Sequence, residues 1–429
     1  MKKTLGLLAI FLLVGGTSHG ITLEQAEELA IKNYPKVQEF QYLSSSSQRE
    51  AEAVKRERFG TLNLISSYTT YNKNFSFVPL YFMPSLKHPP YFDSKKLVYG
   101  ISYTVPLYLG GTISKSVEIN KLKSELYNNL KRETEWQLKF NVDSIYLNYL
   151  KLKAVEEALL QYEKSLKKLK EDVSAGVKAG KFAKVDLLKV DYSLKDVEAQ
   201  IEETRKNEDT LKTALETLTG IKVDRIEPYN VLYRPINLNP EKLYRTALQN
   251  NNLLKTKKTK VKVGRKSEEL VEARYGLKVS IDGIYTRNYG FDTGKNVGIG
   301  SLSVNLSYPL FEWNRKKEEL MAKKLERLSA ERELKEAELQ LKRDITKAVN
   351  SLKAIQSNIE AYRRKLAYAK EVERVEQLKY ESGKGDMDHL LLAKAHRFLT
   401  EAQLKGAYYD WEVEKRRIAT LLEVENEKQ

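Results

Sequence analysis

The segment Leu97-Val98-Tyr99-Gly100-Ile101-Ser102-Tyr103-Thr104-Val105-Pro106-Leu107 sets Leu97, Tyr99, Ile101, Tyr103, Val105 and Leu107 against Val98, Gly100, Ser102, Thr104 and Pro106. Successive side chains of a strand point to opposite faces, so this segment has one large apolar face and one face of mostly small residues. The pattern recurs where Leu302, Val304, Leu306, Tyr308 and Leu310 alternate with Ser301, Ser303, Asn305 and Ser307. The runs Leu62 to Tyr71 and Leu277 to Arg287 alternate less cleanly. Each run is about ten residues, the length with which a tilted barrel strand crosses a bilayer. Tyrosines at the ends suit an interfacial girdle. Hairpins of a soluble sheet share this pattern; the membrane is favoured because the chain also carries an export signal and repeats itself. Four strands cannot close a barrel, which needs about eight or more. The chain must therefore oligomerise or leave raw sheet edges in lipid.

The export signal lies at the N-terminus. Lys2 and Lys3 precede the apolar run Leu5 to Val14, followed by Gly15, Gly16, Thr17 and Ser18. This reads as a signal peptide over residues 1–20 with cleavage after Gly20, the apolar run being too short for a transmembrane helix. The 429 residues include no Cys, which excludes disulfides, thiol nucleophiles, iron–sulfur and Cys-based zinc sites, and a lipidated N-terminal cysteine. High charge with little Pro and Gly leans toward long helices, whereas 26 Tyr lean toward strands or a membrane interface. The net charge of +16 does not point to nucleic acid, because Glu is interleaved with Lys along an exported chain.

The repeat is read from paired signatures. Arg58-Phe59-Gly60 and Arg274-Tyr275-Gly276 open the strand regions; Val105-Pro106-Leu107-Tyr108 and Tyr308-Pro309-Leu310-Phe311 close them. Val177-Lys178-Ala179-Gly180-Lys181 and Tyr380-Glu381-Ser382-Gly383-Lys384 interrupt the helical regions. The organisation is a first repeat over 21–218, a linker over 219–240 holding Pro228, Pro235 and Pro240, and a second repeat over 241–429. Each repeat runs helix, two strands, long helix, turn, long helix. Val155, Leu159, Tyr162, Leu166, Leu169 and Val173 form a coiled-coil seam, as do Leu187, Val190, Leu194, Val197 and Ile201. Ile345, Val349, Leu352, Ile355 and Ile359 keep similar steps, and residues 315–382 contain neither Pro nor Gly. Such hairpins cannot bury both faces alone and need neighbours, as the strands do.

The chain resembles the TolC-type outer-membrane factors. The motifs are Leu23-Glu24-Gln25-Ala26, Leu29-Ala30 and Asn33-Tyr34-Pro35, then the strand-to-helix turn Val105-Pro106-Leu107-Tyr108-Leu109-Gly110-Gly111, then Tyr380-Glu381-Ser382-Gly383 with Asp388. Each is weak alone; their order and duplication carry the resemblance over essentially the whole mature chain. The resemblance implies a mainly α protomer with a membrane β-barrel part. Three copies would form a twelve-stranded barrel in the outer membrane atop a long α-helical barrel in the periplasm. It implies an exit duct of a tripartite efflux or type I secretion system, partnered by a periplasmic adaptor and an inner-membrane pump. An exported coiled-coil tether or adhesin without a pore is the alternative, against which the paired amphipathic hairpins argue.

The resemblance also implies site residues. Tyr380 matches the family's latch tyrosine and Asp388 an acidic position that selects cations. Leu391 stands where a second acid is expected, with Asp386 as a stand-in, and Gly385 where a basic latch residue is expected. Asp386 and Asp388 also read as the N-cap and first turn of a helix, a role compatible with the first. Adaptor contact falls on the tips, Gly176, Val177, Lys178, Gly180 and Lys181 at one and Gly383, Lys384 and Gly385 at the other, where turn chemistry alone explains the glycines. The strand-to-helix turns carry Pro106, Gly110, Gly111 and Pro309. No convergent catalytic constellation and no cofactor motif is read: His19 leaves with the signal, His88 falls in a loop between Phe75 and Asp93, and His389 and His396 lie too far apart with Asp386 to form a metal site.

Overall fold

The computed structural model describes residues 20–76 and 92–424. The signal peptide, but for Gly20, and the loop residues between Ser76 and Phe92, His88 included, lie outside the described residues. The described elements are α1 (Leu23–Asn33), α2 (Pro35–Arg56), β1 (Thr61–Ser76), β2 (Phe92–Leu109), α3 (Thr112–Lys178) and α4 (Lys184–Thr219). There follow α5 (Pro240–Asn250), α6 (Asn252–Arg274), β3 (Lys278–Gly290), β4 (Asn296–Ser307), α7 (Arg315–Glu381) and α8 (Met387–Leu422). The order from α1 to α4 recurs from α5 to α8, with 67 residues in both α3 and α7 and 36 in both α4 and α8.

Two compact units draw on both halves of the chain. One comprises residues up to 38, 133–251 and from 340 onward; the other comprises 39–132 and 252–339. The two units therefore do not coincide with the two repeats.

The second unit holds one antiparallel sheet in the order β1-β2-β3-β4. Its register sorts the two faces. Leu62 is opposite Tyr103, Leu64 opposite Ile101 and Tyr68 opposite Leu97. Ile101 is opposite Tyr285 and Val105 opposite Ile281, while Ile281 is opposite Val304 and Val279 opposite Leu306. These residues share one face, and several are bare in the single chain, Leu64 at 85% and Leu302 at 78% exposure. The other face carries Asn63, Ser67, Ser102, Thr104, Ser280, Asp282, Thr286, Ser303 and Asn305. Asp282 accepts hydrogen bonds there from Thr104 (2.5 Å), Ser280 (3.1 Å) and Asn305. Beneath the sheet, α2 and α3 meet at Ser44 and Ser124 (2.9 Å), and α6 and α7 meet at Arg327–Glu268 (2.6 Å).

The strands outrun the alternating segments. Phe75 belongs to β1, and Phe92 and Asp93 belong to β2, so the strands run into both ends of the segment read as a loop from Phe75 to Asp93. Asp93, 1% exposed, accepts from the backbone of Asp292 (2.5 Å) and Thr293 (2.9 Å), tying the β3–β4 turn to β2. At the other end β4 stops at Ser307, before Tyr308 and Leu310. Pro309 has no N–H to continue the ladder.

The first unit holds two apolar clusters. One joins α1, α3, α4 and the linker through Leu23, Ala26, Val142, Tyr146, Leu215, Val223 and Ile226. Tyr146 donates to the carbonyls of Ile21 (3.0 Å) and Glu227 (2.6 Å), fixing the entry of α1. The other joins the two helical hairpins through Tyr162, Leu166, Leu169 and Val173 of α3, Val190, Leu194, Val197 and Ile201 of α4, Tyr380 of α7, and Met387, Leu390, Leu391 and Phe398 of α8. The heptad steps read from α3 and α4 are the packed seam.

Candidate functional site

The two hairpin tips share one turn. At the first, the N–H of Lys181 bonds to the Gly176 carbonyl (2.7 Å) and that of Gly180 to the Val177 carbonyl (3.1 Å). At the second, Lys384 bonds to Lys379 (2.9 Å) and Gly383 to Tyr380 (3.0 Å) in the same pattern. Gly180 and Gly383 are both left-handed, with φ of 71°. A Cβ on either would meet nothing within 4 Å, so the backbone and not space requires glycine there. Gly176 differs: its Cβ would lie 2.1 Å from the Phe182 ring. Gly385 is also crowded, with Lys379 Cβ and Tyr380 N both at 2.9 Å from a built Cβ. Val177 packs on the cluster between the hairpins. Lys178, Lys181 and Lys384 are exposed.

Tyr380 is brought against the first tip, not toward solvent. It is 6% exposed and stacks on Phe182 with ring centroids 5.0 Å apart. Its hydroxyl is buried without a hydrogen-bond partner. Burial, with a smaller contribution from Asp186, pushes its pKa up to about 12. Asp386 is the N-cap of α8, its Oδ1 accepting from the N–H of Asp388 (2.8 Å). The helix N-terminus and this bond account locally for both acids. Both side chains nevertheless remain more than half exposed, and both face Lys189 of α4. Its ammonium donates to Asp388 Oδ2 at 2.6 Å and lies 3.9 Å from Asp386 Oδ1. The Asp388 hydrogen bond raises the Lys189 pKa, so the tip holds a fixed cation beside two carboxylates.

Lys189 and Phe182 were missed by the sequence reading. Phe182 stands in the first tip where Gly385 stands in the second, so comparing the repeats position by position could have found it. Lys189 has no such signal, being one of many lysines on α4. Leu391 lies in the apolar cluster rather than at a surface. At the strand-to-helix turns, Pro106 adjoins a register shift in the β2–β3 ladder. Gly110 and Gly111 are left-handed, and a Cβ on Gly110 would lie 2.3 Å from the Ala273 carbonyl oxygen. Among the described residues no cluster of His, Asp or Glu is arranged to hold a metal.

A further group of charges lies in the first unit. Arg416 of α8, 13% exposed, donates through Nη1 to Glu27 (3.2 Å) and Asp143 (2.9 Å), through Nε to Glu412 (3.1 Å) and through Nη2 to Tyr229 (3.2 Å). Three carboxylates on one guanidinium are imbalanced, and Lys415 at 3.5 Å from Glu412 corrects only part of it. Burial, then the Asp143 contact, raises the Glu27 pKa to about 8, and burial raises that of Asp143. Burial and the neighbouring acid thus favour the protonated form of Glu27.

The family model for outer membrane efflux proteins matches residues 27–221 and 243–423. No curated protein matches the chain in sequence. Among solved structures, CusC, in work on transmembrane channel formation, is similar with a TM-score of 0.79 at 14% identity, over 96% of this chain and 95% of its own. The outer membrane protein VceC of Vibrio cholerae is similar with a TM-score of 0.75 at 15% identity, over 93% and 95%. The CmeC outer membrane channel of Campylobacter jejuni is similar with a TM-score of 0.77 at 13% identity, over 93% and 85%. At these identities the likeness shows the fold; the family match, over nearly all the described residues, shows that the chain belongs to the outer membrane efflux protein family and is a protein of the outer membrane.

Proposed function

We propose that three copies of this chain form a passive exit duct, carrying substrates from the periplasm or an inner-membrane pump to the exterior within a tripartite efflux or type I secretion system. The observation that carries this reading is the sheet: one mostly apolar face with Leu62, Leu64, Ile101, Leu302, Val304 and Leu306 exposed, an opposite face richer in small and polar residues, and open edges at β1 and β4. In lipid, backbone groups on open edges must be satisfied, and three such sheets joined edge to edge form a closed twelve-stranded barrel. The helices likewise call for neighbours. Val185, Leu188 and Tyr192 on α4 step by three and four and are exposed, as are Leu392 and Leu399 on α8. Such seams need neighbouring helices.

In this duct the tips are the periplasmic mouth. Asp386 and Asp388, repeated around the axis, set a negative potential that favours cations, and Lys189 of each copy tempers it. Tyr380, packed on Phe182, holds the two hairpins of one copy together at the mouth. The residues around Gly176–Lys181 and Gly383–Gly385 are the adaptor's contact, and no step uses a cofactor or catalysis. The repeats 21–218 and 241–429, joined through 219–240, each supply half of the strands and long helices.

Purified protein in planar bilayers should give small, cation-selective conductance and run as a heat-modifiable, detergent-resistant trimer. No conductance under any gating condition would sink the duct and leave the tether reading. Asp386→Asn with Asp388→Asn should lower the cation-to-anion permeability ratio; an unchanged ratio removes the acids from that role.

A further inference from the structure

The passage from strand to helix is built twice, on the same backbone but with different residues. In the first copy Pro106-Leu107-Tyr108-Leu109-Gly110-Gly111 leads into α3; in the second Pro309-Leu310-Phe311-Glu312-Trp313-Asn314 leads into α7. The two residues before each helix are left-handed, with φ of 65° and 88° at Gly110 and Gly111 and of 51° and 63° at Trp313 and Asn314. Left-handed backbone is free for glycine and strained for a residue with a Cβ. Among the described residues only Glu423 is otherwise a left-handed non-glycine. The first copy shows that the turn needs no side chain at this position, yet the second carries a tryptophan.

Packing within the chain does not explain that tryptophan. Trp313 is 81% exposed and touches the edge of Phe311, itself 69% exposed, at 4.8 Å between centroids. Leu310 is 91% exposed. The helix end behind them is firmly seated. Arg315 Nε donates to the Tyr275 hydroxyl (2.7 Å), its guanidinium lies 5.3 Å from the centre of that ring, and the hydroxyl donates to Glu319 (3.0 Å). The apolar side chains thus stand on a fixed base. Lys316 and Lys317 follow, with neither a hydrogen bond nor an ion pair within the described chain. In the first copy Ile113 and Ser114 stand there instead, and Lys115 is held by Glu269 (2.5 Å).

An exposed aromatic pair and a leucine, directly followed by two unpaired lysines at the end of a lipid-facing strand, match one kind of partner. We propose that residues 308–317 anchor the chain to anionic phospholipid at the helix-side rim of the barrel. Leu310, Phe311 and Trp313 enter the interfacial layer, where an indole keeps its ring apolar-side and its N–H toward headgroup oxygens. Lys316 and Lys317 meet the headgroup phosphates, each adding about five-fold to the partition toward an anionic surface. The inference rests on the reading of the sheet as barrel wall. The first copy lacks both indole and free lysines, so each protomer contributes one such anchor.

The test uses the full chain in vesicles of phosphatidylcholine containing a minority of phosphatidylglycerol, with bromine on the acyl chains of one lipid at a time. Trp411 is buried, and Trp313→Phe identifies the contribution of Trp313 against Trp411 and Trp136. Brominated phosphatidylglycerol should quench Trp313 several-fold more than its share of the lipid, and Lys316→Gln with Lys317→Gln should return quenching to that share. Trp313→Gly, which copies the first repeat, should fold and insert, keeping the variant series interpretable. A protein that inserts and conducts while Trp313 goes unquenched, or is quenched by both lipids in proportion, overturns the anchor alone. A protein that neither inserts nor conducts overturns the barrel reading and the anchor with it.

Discussion

Replacing Glu27 by glutamine should flatten the pH dependence of stability across the neutral range. Glu27 meets Asp143 over the Arg416 guanidinium, with Tyr229 from the linker, Glu412 and Lys415 from α8 and Lys139 from α3 around them. A free Glu carboxyl releases its proton near 4.5, whereas the folded one holds it to about 8. Between those values the folded state binds more protons than the unfolded, so stability falls as pH rises. The contribution is complete below about 4.5 and gone above about 8. The full shift would set a ceiling of about 5 kcal/mol at 1.36 kcal/mol per pH unit. Glu27 keeps 19% of its side-chain exposure and interacts with Asp143, which brings the expected effect to about 2 kcal/mol. For a unit of this size that is roughly 5 °C in melting midpoint between about pH 5.5 and 8.5. The assay is thermal unfolding of detergent-solubilised protein followed by circular dichroism. Glutamine keeps the contact to Arg416 and cannot titrate, so the slope should shrink by more than half. A Glu27→Gln protein with the parent's slope refutes the raised Glu27 pKa.

Three further perturbations separate packing from conformation and charge. Tyr380→Phe deletes a buried hydroxyl that lacks a partner, so stability should stay level or rise by up to about 1 kcal/mol; a drop of that size in a melting experiment would mean the hydroxyl is bonded in the assembly. Gly110→Ala should be far more damaging than Gly111→Ala, because its Cβ meets a backbone carbonyl at 2.3 Å while that of Gly111 meets nothing. The latter should cost only the left-handed strain, about 1–2 kcal/mol, and equal losses of folded yield would contradict the geometry. Lys189→Gln should raise cation selectivity by freeing Asp388, the opposite sign to the Asp386→Asn, Asp388→Asn pair, as read from reversal potentials in a salt gradient.

What was legible in the sequence was what repeats with a period. The strands were readable from Leu97 to Leu107 and from Leu302 to Leu306 because one face must be apolar. The seams were readable from Tyr162 to Val173 and from Val190 to Ile201 because heptads force a spacing. The ends of the strands were not, since Asn72-Lys73-Asn74 and Ser94-Lys95 lie beyond the apolar window; the first three fall in a register irregularity of the β1–β2 ladder, and Ser94 is tied to Asp292 of the β3–β4 turn. Asp386 and Asp388 were found through the resemblance and as cap residues. Lys189, which faces both acids, and Phe182, which stacks on Tyr380, come from the other hairpin, and a contact across hairpins leaves no local mark in either segment. The Glu27, Asp143, Arg416 and Glu412 group was invisible for the same reason: four ordinary charged residues become an imbalanced cluster only when α1, α3 and α8 are brought together.

The duplication itself separates what the fold demands from what one copy does alone. Where both copies need only a backbone conformation they keep glycine, as at Gly180 and Gly383. Where they diverge, each substitution runs against the cheaper choice seen in the other copy. Phe182 replaces the position held by Gly385 and fills the space under Tyr380, while Ala183, a cap without a side-chain acceptor, corresponds to Asp386. Trp313 and Asn314 replace the positions held by Gly110 and Gly111 at a cost in backbone strain. At the tips, then, the first copy supplies the packing surface and the second the exposed carboxylates. At the rim, the first copy supplies the relaxed turn and the second the exposed indole. A duplicated chain selected for shape alone would gain nothing by placing strained backbone at the rim and exposed carboxylates at the tip in one copy only. Exchanging the copies tests this directly: Trp313→Gly should leave the second turn folded, whereas Gly110→Trp should disrupt the first, where any Cβ meets the Ala273 carbonyl oxygen at 2.3 Å, and equal folded yields of the two variants would contradict the division of roles.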